Sequence, residues 1–515
     1  MSIGRAATRL KTLKQDVCTM KTVRVAPPVT MTPAVAACLA LAMIVFGGGC
    51  DRGAPGSDPV PPLPALHAEG TKIVDDAGAE VILRGVNLGG WLFNETWITQ
   101  IDYPLLSRIH VIAVREGLAE VVDPILTQKS SEWQGSAYLT ELESALAAEI
   151  GTEAAATFVD KVEPYTPPLY DDSDLLLRRK LSERFGDAAR DQLLDTFQEA
   201  WVNETDIEWI ASQGFNVVRV PMTYRNLVTG PDLDAPTELS WNELTWTRIG
   251  RLLDWCERHR IYAVLDIQEA PGGQNDYTGQ SLLYGSPALQ DLTVELWVEI
   301  ATRFGGHSAV AAYSLLAEPF SAPDPGARDA MYDKLYDAIR ALGDDHLLVI
   351  HDGFFGMNTL PDPAAYGWEN VVYSTHIFEF DAKSLEDYEF LINIFHETVY
   401  TEAQAAQGVP YYIGSFSTRN DADWAYDAAQ LMIDWYTGHG WSWSVWTYKR
   451  IDDPIAFELL GKTSSYGVRT MHEGPFDRPD AFDDDFDTHK AKLAAYRDLP
   501  LDPNQRLLDI LTSPM

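Results

Sequence analysis

Residues 262–275 read YAVLDIQEAPGGQN. The run Tyr262–Ile267 is short and largely apolar, and Pro271-Gly272-Gly273 then breaks the chain as a loop. Runs of the same kind recur at Val81–Leu88, Val217–Pro221, Ala311–Leu316, His346–His351, Val371–His376, Pro410–Phe416 and Ser442–Tyr448. Between them lie longer stretches with helical spacing: Glu204–Gln213, Trp246–His259, Ala288–Phe304, Ala327–Leu342 and Ala425–Tyr436. Strands alternating with helices predict an α/β fold with a parallel sheet, and eight strands close a (β/α)8 TIM barrel. No internal repeat is visible, which argues against a solenoid or propeller.

One gap is too long for a barrel connection. Between Tyr103 and Asp172 the chain is rich in Ala and Glu, and the spacing of Leu139, Leu142 and Leu146 predicts helices. This helical insertion after the first strand, residues 103–172, would rise from the C-terminal rim, where ligand-shaping loops sit. A cleft wall or lid and a plain decoration both stay open.

The composition is that of a large globular core, with 46% apolar residues. The 15 Trp and 22 Tyr suit either sugar-stacking faces or an aromatic-rich core. A formal charge of −37 repels nucleic acid and anionic lipid, and leaves neutral or cationic polymers as partners. Of the four cysteines, Cys18, Cys38 and Cys50 precede the folded body and only Cys256 lies within it. No intrachain disulfide is therefore open to the mature domain.

The first 50 residues read as an address. Lys11, Lys14, Lys21 and Arg24 precede the apolar run Ala34–Phe46 and then Gly47-Gly48-Gly49-Cys50. That order is a secretory signal rather than a membrane span. Small residues before a cysteine resemble a bacterial lipoprotein signal with Cys50 lipidated, although Gly47 stands where Leu is usual. Cleavage that leaves Cys50 as an ordinary thiol is the alternative. The expectation is an exported protein at the cell envelope, touching membrane only through a lipid anchor. Residues 51–64 form a Pro-, Gly- and Asp-rich linker, 65–500 the barrel domain and 501–515 a C-terminal tail.

Barrel enzymes gather their working groups at the C-terminal ends of the strands. The run ends supply Asn87 through Trp91, Arg219, Gln268-Glu269, Ala317-Glu318-Pro319, His351-Asp352, His376, Ser415 and Trp446. An acid, an arginine, histidines and aromatic rings on one rim predict a polar ligand site.

These motifs resemble glycoside hydrolase family 5, most closely its exo-β-1,3-glucanase branch. The resemblance rests on Gly85-Val86-Asn87-Leu88-Gly89-Gly90-Trp91-Leu92 with Trp97-Ile98-Thr99, on Phe215 to Pro221, on Ala270 to Asn275, and on Trp446-Thr447-Tyr448-Lys449. It spans roughly residues 70 to 500 without the insertion. It implies a β-glucan-type oligo- or polysaccharide as ligand, no cofactor, and a retaining mechanism with two carboxyls about 5 Å apart. Glu318 falls at the acid/base position. Arg219, His376, Trp446, Asn87, Trp91 and Asn275 fall at ligand-binding positions.

The chain departs from the family pattern at four places. Ser415, in Gly414-Ser415-Phe416, stands where the resemblance implies the nucleophilic Glu, and serine without a base is a poor nucleophile. Ala317 replaces an Asn, Gln268 a His and Phe378 a Tyr. Of the nearby carboxylates, Glu269 and Glu379 should point aside if Gln268 and Phe378 face the mouth, because side chains alternate along a strand. Asp276 is a loop candidate. Three readings follow: a glycan-binding or impaired barrel, an active β-glycosidase with a relocated second carboxylate, and a serine esterase through Ser415. The last lacks a nucleophile-elbow motif.

No metal-ligand spacing, phosphate loop or dinucleotide fingerprint is present in the sequence, and no metal is expected. The acidic stretch Asp480–Asp487 reads as a solvated loop, with calcium binding as its alternative.

Overall fold

The computed structural model describes residues 61–129, 137–166, 173–230, 236–275, 281–379, 382, 384–393, 397–418, 423–460, 467–471 and 476–513. The leader, Cys50, most of the linker and the loop residue Asp276 lie outside them. Among the described residues, no helix is long and apolar enough to cross a membrane.

Eight parallel strands close a barrel: β1 (Arg84–Asn87), β2 (Val217–Thr223), β3 (Tyr262–Glu269), β4 (Val310–Ser314), β5 (Leu347–His351), β6 (Val371–Ile377), β7 (Tyr411–Phe416) and β8 (Ser442–Val445). Each pairs with the next in sequence, and β8 returns to β1 through Trp443 opposite Arg84 and Val445 opposite Val86. Every one of the eight expected runs overlaps one of these strands, and four of the strands extend beyond their run. Strands β2 to β8 are buried along their whole length, which is why they read as nearly continuous apolar runs rather than alternating ones. Gly85 is glycine because β1 lies hard against β2; a Cβ there would sit 1.8 Å from the Val217 carbonyl oxygen.

Two run boundaries change for a topological reason. Val81 donates to the Ile73 carbonyl and so belongs with the hairpin Leu66–Glu69/Lys72–Asp75, not with β1. The closing run stops at Val445, because Lys449–Ile451 leaves the barrel to pair with Arg469–Met471. The expected tail is also integrated. Asp502 pairs with Thr470, and the helix Gln505–Leu511 buries Leu507, Leu508 and Leu511.

The insertion forms α1 (Leu105–Glu116), α2 (Ala119–Lys129), α3 (Ala137–Ile150) and α4 (Thr152–Val162). Leu142 and Leu146 of α3 join Ile109, Val122, Leu126, Phe158 and Val162 in a core separate from that of the barrel. Two helices that no apolar periodicity announced follow: α5 (Ser173–Phe185) and α6 (Asp187–Trp201). The expected helices appear as α7 (Glu204–Ser212), α8 (Glu243–Arg258), α9 (Pro287–Phe304), α10 (Pro325–Arg340) and α11 (Asp423–Gly438). Local chemistry sets their starts. Asn203 and Asp206 form a capping box for α7, and Ser286 and Asp324 cap the Pro-led α9 and α10.

The insertion is fastened to the segments that follow β8. Ser107 hydrogen-bonds Asp453, and Leu459 joins the insertion core. Arg108, almost fully buried, ion-pairs with Asp102 at 2.7 Å and Asp480 at 3.0 Å, with the rings of Tyr103, Tyr165 and Phe482 at 4.6 to 4.8 Å. The acidic stretch is therefore solvated only in part: Asp483, Asp485 and Asp487 are exposed, while Asp480 and Asp484 are engaged inside. Asp480 is buried against Arg108, Asp484 accepts from Lys492 at 2.8 Å, and Asp485 caps the helix Phe486–Ala494.

Replacing Arg108 with Met would strand two buried carboxylates. We expect a loss of about 3 to 5 kcal/mol in denaturant unfolding, with faster proteolysis within residues 105–162. An unfolding midpoint unchanged from wild type would show that Arg108 is not the fastening.

Candidate active site

The floor of the barrel mouth is built around one buried cation. Arg219 on β2 donates to Asn87 Oδ1 at 2.8 Å and to Gln268 Oε1 at 3.1 Å, and lies 2.8 Å from Asp266 Oδ2. Asn87 turns its amide NH2 to the carbonyls of Gly414 and Ser444, both at 3.1 Å. Side chains of β1, β2 and β3 and backbone of β7 and β8 thus meet in one network.

Glu318 stands above it, just after β4. The loop 270–275 holds its backbone: Gln274 donates to the carbonyls of Gln268 and Ala317 at 2.8 Å each, and Asn275 donates to that of Glu318 at 3.1 Å. From below, Trp297 donates to the Leu315 carbonyl and Tyr332 to that of Leu316. This clamp keeps Glu318 at φ +49°, a left-handed conformation that a non-glycine residue holds at a cost of about 1–3 kcal/mol.

The Glu318 carboxyl lies 2.6 Å from His376 Nδ1. Burial pushes its pKa up to about 7, against the opposing pull of Arg219. Burial, reinforced by Arg219, holds His376 well below the usual imidazole value. The neutral form of the pair wins because two desolvated charges would not recover their hydration. His351 stands edge-on to His376 with centroids 4.4 Å apart. Its Nδ1 accepts from Gly353 N–H at 2.9 Å, so Nε2 carries the proton of this neutral ring.

Ser415 is opposite His376 in the β6–β7 register. Its neighbour Phe416 packs outward on Tyr436 of α11, with ring centroids 5.2 Å apart, so alternation turns Ser415 to the mouth. The Ser415 hydroxyl is buried and has no hydrogen-bond partner. Gly414 makes room for the histidine, since a Cβ there would lie 2.9 Å from His376 Nε2.

The other carboxylates nearby are engaged elsewhere. Glu269 binds Arg225 and Thr223 at 2.6 Å each, behind the strand, as alternation requires. Glu379, just beyond β6, is half-buried. Asp352 is buried and accepts from the Phe354 N–H at 3.1 Å.

Several residues expected to touch ligand are walls instead. Trp91 is 1% exposed and its indole donates to the Gln198 carbonyl, so neither ring face is open to a sugar. Asn87 and Asn275 are wholly buried and position Arg219 and Glu318 respectively. Lys449 of the closing motif is buried against Asp206 and the Trp201 carbonyl. Ala317, Gln268 and Trp446 are buried around the mouth and Phe378 is half-buried. Sequence reading missed Phe320 and Phe354, whose rings lie 6.2 Å apart on the loops after β4 and β5. Phe354 is 47% exposed, and the available signal was an aromatic residue two or three positions beyond a strand-end acid or histidine.

With this site in view, comparison with known proteins becomes informative. Residues 187–451 match the model of the cellulase family, glycosyl hydrolase family 5. The chain belongs to that family. The matched span holds Arg219, Glu318, His376, Ser415 and Trp446, and leaves out β1 and the insertion. Among curated relatives, a β-xylosidase of Phanerodontia chrysosporium is 27% identical over 75% of this chain and 71% of its own length. The glucan 1,3-β-glucosidase 2 of Saccharomyces cerevisiae is also 27% identical, over 48% of this chain and 50% of its own. The chain thus spans about half the length of that relative. The crystal structure of an endogalactoceramidase aligns over 84% of this chain and 85% of that one, with 18% identity and a TM-score of 0.47.

The raised pKa of Glu318 has a stability consequence. The folded state holds the proton up to about pH 7, while an exposed glutamate releases it near 4.5. The folded protein therefore loses stability as pH rises between these values, by up to about 3 kcal/mol at 1.36 kcal/mol per unit. Glu318→Gln should be more stable than wild type at pH 8, with the gain fading toward pH 5. A gain independent of pH would refute the assignment.

Proposed function

We propose that this family 5 barrel hydrolyses β-linked glucan- or xylan-type oligosaccharides, with Glu318 delivering a proton to the departing glycosidic oxygen. The observation that carries the reading is the Glu318–His376 pair. A carboxyl protonated up to about pH 7, desolvated and clamped at the end of the fourth strand is poised as a general acid near neutrality. The family match supports the reaction class. The substrate class follows from relatives whose names include a β-xylosidase, glucan 1,3-β-glucosidases and an endoglucanase C of Acetivibrio thermocellus.

A second reading, glycan binding without turnover, is favoured by Ser415. A retaining reaction places an attacking carboxylate about 5 Å from the acid, and an inverting one places a base more than about 6.5 Å away. The seventh strand offers only a hydroxyl there. Serine esterase chemistry finds less support, because the Ser415 hydroxyl has no hydrogen bond to a base and His376 Nδ1 is taken by Glu318.

Purified protein incubated with laminarin, cello-oligosaccharides, xylo-oligosaccharides and the aryl β-glycosides decides between the first two. We expect reducing sugar to be released, with a rate that falls as pH rises through about 7. Glu318→Gln should slow cleavage of unactivated substrates by roughly 10²- to 10⁴-fold. Calorimetric binding of these sugars without any release would establish the binding reading instead.

A further inference from the structure

The mouth holds a proton donor and, on the strand beside that donor's histidine partner, a buried hydroxyl with no hydrogen bond. His376 joins the two. Its Nδ1 is 2.6 Å from Glu318, its Nε2 faces the bare Cα of Gly414, and its backbone is paired with Ser415. The Ser415 hydroxyl is 2% exposed and unpartnered, where a polar group normally finds a bond. A second buried donor without a partner, His351 Nε2, belongs to the ring that stands against His376. The charges around this spot are few. Arg219 lies beneath, balanced by Asp266 at 2.8 Å, burial keeps both histidines neutral, and Glu318 holds its proton up to about pH 7. Glu269 is held behind the strand by Arg225.

We propose that the Ser415 position admits a small oxyanion, phosphate or a carboxylate, which acts as an external nucleophile on the sugar held under Glu318. The inference rests on the glycosidase reading above and names the missing partner of that reaction. An oxygen lone pair of the anion forms the new bond to the anomeric carbon on the face opposite the leaving group. The glycosidic C–O bond breaks with its electron pair going to oxygen, which takes the proton of Glu318. Glu318 regains a proton from solvent. With dihydrogen phosphate the products are a glycosyl phosphate of inverted configuration and the free alcohol. With formate the glycosyl ester forms and is then hydrolysed, returning formate.

The test uses the full chain and an aryl β-glucoside in buffer without small oxyanions, to which phosphate, formate or azide is added. We expect saturable acceleration of at least roughly tenfold and a product of α configuration by proton NMR. A glycosyl phosphate identifies phosphate as the natural co-substrate. Acceleration by formate but not by phosphate assigns the site to the smaller carboxylates, with azide serving only as a small anionic surrogate. Ser415→Glu should abolish the acceleration by placing a carboxylate in the same space. Ser415→Val, a β-branched residue suited to a strand, should fill that space and raise the anion concentration needed for half-effect. Hydrolysis that proceeds in anion-free buffer and ignores every anion overturns this inference and leaves the glycosidase reading intact. Sugar binding with no turnover under any condition overturns both.

Discussion

A guanidinium sealed inside a barrel must be surrounded by acceptors, and the mouth of this protein is organised by that requirement. Arg219 is 1% exposed, and a bare charge so placed would be prohibitive. Its demand is met by Asn87, Asp266 and Gln268, while Asn87 in turn ties the carbonyls of β7 and β8. A hydrogen-bonded set of this kind tolerates one register among the strands that supply it. The positions of the residues above the floor follow from that register.

Glu318 and His376 show how the same low-polarity surroundings act on groups without a charged partner. Burial raises the one and lowers the other, so a proton is held between them near neutrality. The backbone strain at Glu318 is borne by the loop 270–275, whose Gln274 and Asn275 amides hold the adjacent carbonyls. The loop thus serves the acid from behind, while Phe320 and Phe354 supply apolar faces on the open side.

The insertion repeats the principle at larger scale. It has its own apolar core, and its tie to the rest of the domain is again a buried arginine, Arg108, ringed by aromatic faces and two aspartates. Because Asp480 comes from a segment 372 residues away, the insertion and the region after β8 are stabilised together.

The barrel was legible in the chain because β2 to β8 are buried on both faces, and nearly continuous apolar runs record that directly. Glu318, Arg219, His376 and Ser415 were legible as well, because barrel topology carries the end of each run to one rim. The orientation of Glu269 followed from strand alternation. The chain by itself did not reveal that Trp91, Asn87 and Asn275 are wall rather than contact, since a residue's neighbours across hundreds of positions determine its exposure. Nor did it reveal that Asp480 in the acidic stretch is buried, because local charge density signals solvent unless a distant Arg108 neutralises it. Sequence determined the strands and which residues reach the mouth. Tertiary structure decided what faces them, because hydrogen bonding, desolvation and proton affinity depend on partners that meet only once the barrel has closed.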